Sequence, residues 1–323
     1  MGHRSGYYRR RLITRVGTLT LRVPQDRSGH FSTQVFEQYQ RSEKALVAAL
    51  AQMYVQGVST RKVAAITQEL CGHEFSASSI STITARLDGQ LKEFSRRPLN
   101  EASPYVVVDA RYERVREGGV IVNRAILIAL GIDWAGRRQV LARLLRELQK
   151  RGLNGVQFVV SDDHPGLKAA IREVLPGVWW QRCYVHFLRN ALDYLPRKAD
   201  DDCLQELRWM YERRNVEEAR RDLKQWLEKW SVKHPKPCAW VETNIEETWA
   251  FYQLPLSHHK HLKSTNLLER FNQEIKRRTL VVRIFPDEAS CLRLVRAVAA
   301  EQHEEWKAAD TSTRASCGRR SQR

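Results

Sequence analysis

The amino-acid sequence predicts a mixed α/β fold, with a sheet that begins antiparallel, continues parallel and carries helices on its faces. Three observations predict it. Residues 105–115, 120–132 and 137–142 are β-prone runs separated by short turns at 116–119 and 133–136, the pattern of an antiparallel meander. Residues 156–162 and 178–185 are two further β runs. Each follows a helical stretch, at 143–150 and 166–175, so the coarse order is βββαβαβ. Residues 36–98 and 186–250 place apolar residues at helical spacing, so helical regions stand before the sheet and interrupt it.

Taken in order, residues 1–35 are basic and β-prone. Thr18-Leu-Thr-Leu-Arg-Val-Pro24 alternates with period two and predicts one short strand. Residues 36–98 hold three helices: one ending at Gly57, one capped by Ser59 or Thr60 and closed at Gly72, and one starting at Ser76. Two short helices, a glycine-containing turn and a polar third helix match a helix-turn-helix. The third would offer Ser78, Ser79, Ser81, Thr82 and Arg86 to a DNA groove, although a plain helical bundle gives the same pattern. After a linker at 98–104 the sheet begins, and residues 104–190 form the first part of its domain. Residues 191–262 are an all-helical insertion whose tryptophans fit helix packing better than base stacking. Residues 263–306 return to the core with an acidic helix. Residues 307–323 are polar and basic and are expected to be disordered.

Charge narrows the function. The chain has 54 Lys and Arg against 37 Asp and Glu, a net of +17, and 40 of the cations are arginines. Such a balance is the footprint of a polyanion binder, and the planar guanidinium suits phosphate. No apolar run approaches the ~18 residues of a membrane helix. The start of the chain lacks the apolar core of a secretory signal, and Gly6 stands where a myristoylation signal needs Ser or Thr. Six cysteines without a Cys-x-x-Cys pair suggest reduced thiols and a cytoplasmic protein.

Two carboxylates stand out. Asp109 follows Val106-Val-Val108 and Asp162 follows Phe158-Val-Val-Ser161. A carboxylate in an apolar run is costly unless it is paired or binds a metal. Two of them, on strands expected to be neighbours, suggest a shared cation near the carboxyl ends of the strands. A third acid would come from a helix, where Asn266, Glu269, Gln273 and Lys276 fall on one face and Leu267, Leu268, Phe271 and Ile275 on the other. A solvated amphipathic helix has the same pattern. The spacings are 162 − 109 = 53 and 269 − 162 = 107 residues, and the second gap holds the helical insertion.

The segments Val108-Asp-Ala-Arg-Tyr112, Val160-Ser-Asp-Asp-His-Pro-Gly-Leu167, Trp180-Gln-Arg-Cys-Tyr-Val-His-Phe-Leu-Arg-Asn190 and Ser264-Thr-Asn-Leu-Leu-Glu-Arg270 resemble the Mutator-type (MULE-like) bacterial insertion-sequence transposases of the DDE class. The resemblance runs from about Gly6 to Trp306. It implies a ribonuclease-H-like mixed sheet (βββαβ-αβ-α order) and metal-dependent cleavage and strand transfer at the ends of an insertion sequence. Asp109, Asp162 and Glu269 are the implied metal-binding acids, Asp162 rather than Asp163 because the family ligand directly follows the serine. Cys183 and His186 match the family's Cys-x-x-His. Compared with the family pattern, the chain is shorter between the third strand and the next helix and ahead of Gly6, and its end after Trp306 differs.

Two Mg²⁺ ions (or Mn²⁺) suit three carboxylates, with Asp109 expected to bridge both, Asp162 to hold one and Glu269 the other. Zinc at Cys183 and His186 is not expected, because no second ligand pair follows at finger spacing. His186 and His164 are expected beside the acids, contacting DNA phosphate or orienting a carboxylate. His258, His259 and His261 are expected to make phosphate or loop contacts. Cys183, Asn266, Gln273, Lys263, Arg270, Lys276 and Arg277 are likewise expected either to support the acids or to contact DNA phosphate, the positive side chains holding the strand. The partners are double-stranded DNA (terminal inverted repeats and target) and further copies of the chain, with no membrane. Two other readings share these residues: a transposase-derived DNA-binding protein without activity, and a metal-dependent nuclease that does not join strands.

Overall fold

The computed structural model describes residues 4–26, 40–141, 145–194 and 201–318. Their contacts divide the chain into two compact units. One holds residues 1–92, 114–122 and 275–298, the other residues 93–113, 123–274 and 299–323.

The first unit opens with strands β1 (Arg4–Thr14) and β2 (Gly17–Asp26), an antiparallel ribbon in which Leu12 pairs with Leu19 and Tyr8 with Val23. The sequence reading found only part of β2 and no β1. Tyr7-Tyr-Arg-Arg-Arg11 hides the alternation, because three arginines in a row look polar on both faces. Helices α1 (Lys44–Val55), α2 (Thr60–Cys71) and α3 (Ala77–Ala85) close around Leu46, Leu50, Val63, Phe75, Ile80 and Ile83. Ser59 Oγ accepts from Lys62 N (3.2 Å) and Ser76 Oγ from Ser79 N (3.1 Å), so both expected helix starts carry a side-chain cap. Gly57 is required after α1: its φ is +81°, and a Cβ there would lie 2.9 Å from Arg278 Cα. Arg278 Nη1 donates to Val55 O (3.2 Å), placing a cation at the negative end of α1. Helix α4 (Asp88–Arg96) begins at Asp88, which takes a two-pronged bond from Arg293 at 2.7 and 3.0 Å.

The second unit holds most of a five-stranded mixed sheet, while residues 114–122, the hairpin end of its two long strands, fall in the first unit. The strands are β3 (Tyr105–Glu117), β4 (Val120–Ile132), β5 (Arg138–Val140), β6 (Phe158–Ser161) and β7 (Trp179–Arg182), in the order β5-β4-β3-β6-β7. β3 and β4 are neighbours joined by Gly118 and Gly119, both at positive φ (55° and 85°), as a tight two-residue hairpin needs. β5 is antiparallel to β4, while β6 is parallel to both β3 and β7. Helices α5 (Leu145–Lys150) and α6 (Pro165–Val174) make the crossovers. Val106, Val108, Val159, Leu148, Leu167 and Ile171 pack in one apolar cluster, and Val107 and Val160 are fully buried in register. Arg151 bonds the carbonyls of Arg97 (2.9 Å) and Leu141 (2.7 Å), which satisfies a loop that hydrophobic packing alone would strand.

Three boundaries differ from the sequence reading. The third strand is shorter than 137–142, and residues 142–144 lie outside the described residues. The fifth strand stops at Arg182, because Cys183 opens helix α7 (Tyr184–Leu192); Tyr and Val had extended the β reading to 185. Finally, α13 (Glu288–Gly318) continues into the segment 307–323 expected to be disordered, since no Gly or Pro interrupts it before Gly318, and residues 319–323 lie outside the described residues.

Helices α8 (Asp201–Trp209), α9 (Val216–Trp230), α10 (Pro235–Asn244) and α11 (Leu256–Leu262) form the inserted segment, and α12 (Asn266–Thr279) is the acidic helix. Trp226 and Trp230 are buried and donate to Cys203 O (2.9 Å) and Glu206 (2.8 Å), while Trp240 stacks on Phe187. Trp209 is exposed. The packing role holds for the others. Among the described residues no helix is long and apolar enough to cross a membrane.

His303 on α13 is buried against Phe94, and Arg97 stands near it. Burial first, then the Arg97 charge, pushes its pKa down to about 4. The unfolded chain therefore binds a proton at higher pH than the folded one. Stability is full above about 6.5 and falls as pH drops toward 4, by up to about 3 kcal/mol. Urea denaturation of His303→Phe between pH 7 and 4 should show a shallower loss than the parent chain.

Candidate active site

The parallel register of β3 with β6 pairs Val107 with Val160. Two residues further along come Asp109, within β3, and Asp162, just past the end of β6, and the Asp162 charge acts on Asp109. Asp109 is half-buried, and its carboxyl is pushed above its usual range by burial, with the Asp162 charge adding to that. The positive charge of His186 and hydrogen bonds from Ala110 N (2.9 Å) and Asn272 Nδ2 (2.6 Å) oppose the shift.

Asp162 and Asp163 are adjacent but have different surroundings. Asp163 is fixed by Lys168 Nζ (2.8 Å) and by the buried Arg182 (2.9 Å), and Glu247 shares both cations. Among the described residues Asp162 Oδ1 is buried with no hydrogen-bond partner. A buried carboxylate oxygen without a partner is costly, so only one of the two acids has its charge answered by the protein.

Glu269 enters from α12. Its Oε1 lies 3.7 Å from His186 Nε2 and 3.6 Å from Arg189. Asn272, one turn further along the same helix, is the residue bonded to Asp109. His186 therefore neighbours two of the acids. Cys183 starts α7 one turn before His186, and its buried thiol takes hydrogen bonds from Thr265 N and Oγ1, both 3.3 Å. Burial pushes that thiol up, but His186 and Thr265 outweigh it and hold the thiol below its usual range. His186 is correspondingly raised, first by the thiol and further by Asp109.

Residues 1–309 match the family described as transposase, Mutator family. The chain belongs to that family. It is 64% identical to the transposase for insertion sequence element ISRM5 of Rhizobium meliloti (strain 1021), over 96% of this chain and 81% of that protein. It is 44% identical to the IS406 transposase of Burkholderia multivorans (strain ATCC 17616 / 249), over 94% of this chain and 82% of that protein. It is 40% identical to the IS256 transposase in transposon Tn4001 of Staphylococcus aureus, over the same shares.

In this Mutator-family chain the other predicted residues divide. Arg270, Gln273, Lys276 and Arg277 are exposed on α12, as is Asn266 at its start. Lys263 is not available to a phosphate: its Nζ is held by Glu212 (2.5 Å) and Tyr211 O (3.3 Å). His164 is exposed at the start of α6, its ring against Gly166. On α11, His258 bonds the Tyr105 hydroxyl (2.8 Å) and His259 the Leu254 carbonyl (2.8 Å), so both serve packing. Ser78, Ser79, Ser81 and Thr82 are exposed on α3, and Arg86 is exposed at its C-cap.

Sequence reasoning missed Asn272 and Arg189. Each stands three residues after a predicted site residue on a helix, and that spacing was the available signal. The donor chemistry of Asp109 and Asp162 suits a hard divalent cation, and the orphaned Asp162 Oδ1 is where one would be drawn. Glu269 is instead turned to His186 and Arg189. Among the described residues no group of three or more His, Cys, Asp or Glu side chains is gathered to hold an ion.

The contrast between neighbours is measurable without activity. Asp163→Asn breaks the pair with Arg182 and should lower unfolding free energy by about 1–3 kcal/mol in urea. Asp162→Asn removes an unanswered charge and should leave it equal or higher at pH 7.

Proposed function

We propose that this chain is a DNA transposase that cleaves and transfers strands at the ends of an insertion sequence, with Asp109, Asp162 and Glu269 as its metal-binding acids on a ribonuclease-H-like core. The buried, unpartnered Asp162 oxygen beside Asp109 is the observation that carries this reading. The sheet supports it too, since Asp109 lies within β3 two residues past its pairing with β6, and Asp162 directly follows β6. The relatives named as insertion-sequence transposases support the substrate class.

Asp109 and Asp162 would hold Mg²⁺, and Glu269 would complete the set on release from His186 and Arg189. The bound ions supply activation of the attacking oxygen and stabilisation of the leaving one in an in-line displacement at a phosphodiester. The chain's own residues do the rest. Asn272 keeps Asp109 aimed by holding one carboxylate oxygen. His186 sits between Asp109 and Glu269 and offsets their mutual repulsion. Arg270, Lys276 and Arg277 hold the DNA strand through its phosphates. α3, as the second helix of a helix-turn-helix, presents its serines, Thr82 and Arg86 to the terminal repeats. Joining two ends requires further copies of the chain.

The test is end cleavage and strand transfer by the full chain on duplexes carrying its element's ends, in Mg²⁺ and in Mn²⁺. Asp109→Asn, Asp162→Asn and Glu269→Gln should each lose more activity than the roughly 10–100-fold typical of losing an outer partner. Folded Asp163→Asn should retain cleavage. An acid whose variant keeps full activity is not a ligand. Binding without cleavage in either metal would leave a DNA-binding protein, and hydrolysis without joined product would leave a nuclease.

A further inference from the structure

The β1–β2 ribbon carries a feature that neither the acids nor α3 explain. Residues 4–26 contain six arginines and a single acid, Asp26, which pairs in register with Arg4 at the far end from the turn. The register sets Arg9 directly opposite Arg22, and strand alternation puts Arg11, Tyr7, Thr18 and Thr20 on that same face. Like charges facing each other across an antiparallel pair destabilise it. A two-stranded ribbon has little stability in reserve. This one is anchored at its turn end, where Leu12 and Thr14 are buried and Ile13 packs on the helical cluster.

Among the described residues, local neutralisation is absent where it would matter. Arg15, at the turn, pairs with Glu43 at 3.2 Å, and Arg10 donates to Gln40 O at 2.5 Å. Among the described residues, Arg9, Arg11 and Arg22 have no carboxylate within ion-pair distance, and Arg22 instead lies 5.0 Å from the centre of the Tyr7 ring. Beside this face is a concavity of about 630 Å³. Arg9, Arg10, Arg11, Arg41 and His73 line it together with Tyr8, Ile13 and Thr18, and among the described residues no acid does. The ribbon thus concentrates guanidinium groups on an open concave surface, in a geometry that costs stability when nothing is bound.

We infer that the β1–β2 ribbon is a second DNA contact, a clamp on the phosphate backbone through Arg9, Arg11 and Arg22. It is separate from the sequence-reading helix and rests on the proposed function only in taking duplex DNA as the ligand. Guanidinium forks take phosphate oxygens two at a time, and each bound phosphate releases counterions. The clamp therefore adds affinity for any duplex and does not discriminate between sequences.

The experiment measures binding of the full chain to a fluorescent duplex carrying its element's end and to an unrelated duplex, across a salt series. The triple variant Arg9→Ala/Arg11→Ala/Arg22→Ala should bind both duplexes about tenfold more weakly at moderate salt, and the slope of log Kd against log salt should fall by about 2–3. The triple lysine variant should restore most of the slope. Thermal unfolding of the alanine triple should match or exceed the parent, since repulsion is removed. An Arg86→Ala variant on α3 should instead lose preference for the element's end with little change in slope. Unchanged affinity and slope in the alanine triple would overturn the clamp while leaving the transposase reading intact, and so would a loss confined to the element's own end. Failure of the parent chain to bind either duplex would overturn both.

Discussion

The site depends on the register between β3 and β6. Because Val107 lies beside Val160, the next side chains on that face are Asp109 and Asp162, and both leave an apolar strand interior together. A slip of one residue would send one acid to the opposite face, into the cluster of Val106, Val108 and Val159, where an unpaired charge is prohibitive. The apolar residues that fix the register therefore also fix the distance between the acids. The fold then answers one carboxylate of the Asp162–Asp163 pair internally. Arg182, buried at the end of β7, is held by Asp163, and that contact leaves Asp162 as the acid with unused coordinating capacity.

Around this pair the remaining groups form a connected set. Thr265, just before α12, bonds the Cys183 thiol at the start of α7, and Tyr184 N donates to Lys263 O at 3.1 Å. Those contacts lock the beginnings of the two helices together. One turn along α7 is His186, and one turn along α12 is Glu269, so the two meet at 3.7 Å. A further turn of α12 brings Asn272 to Asp109. The arrangement explains why a buried sulfur is useful here. It accepts from the Thr265 amide and hydroxyl, and His186 beside it helps hold the thiol below its usual range.

Much of this was legible in the sequence because charge inside an apolar run is rare. Val106-Val-Val-Asp109 and Val159-Val-Ser-Asp162 each announce a carboxylate that hydrophobic packing does not explain, and strand β4 was bounded correctly at both ends by its flanking glycines and Asp133. What escaped depended on partners distant along the chain. Lys263 looked like a phosphate ligand beside the acidic helix, but Glu212, fifty-one residues earlier, takes its charge. Asn272 sits at the edge of the polar stripe drawn through Asn266, Glu269 and Gln273, where helical periodicity cannot distinguish a solvent-facing amide from one turned to a strand. β1 was invisible because a row of arginines carries no alternation in hydrophobicity, although it alternates in which face each residue occupies.

The same distinction limits what total charge can mean. A net of +17 points to a polyanion, but several arginines are spent on architecture. Arg151 satisfies loop carbonyls, Arg182 answers Asp163, Arg278 caps α1 and Arg293 grips Asp88, and all four are buried. None of these can reach a phosphate without breaking the fold. The electrostatic footprint must therefore be drawn from arginines that are both exposed and unanswered by carboxylates. By that standard the argument for DNA moves from composition to location, since Arg9, Arg11 and Arg22 on one strand face carry more weight than the surplus of cations counted over the whole chain.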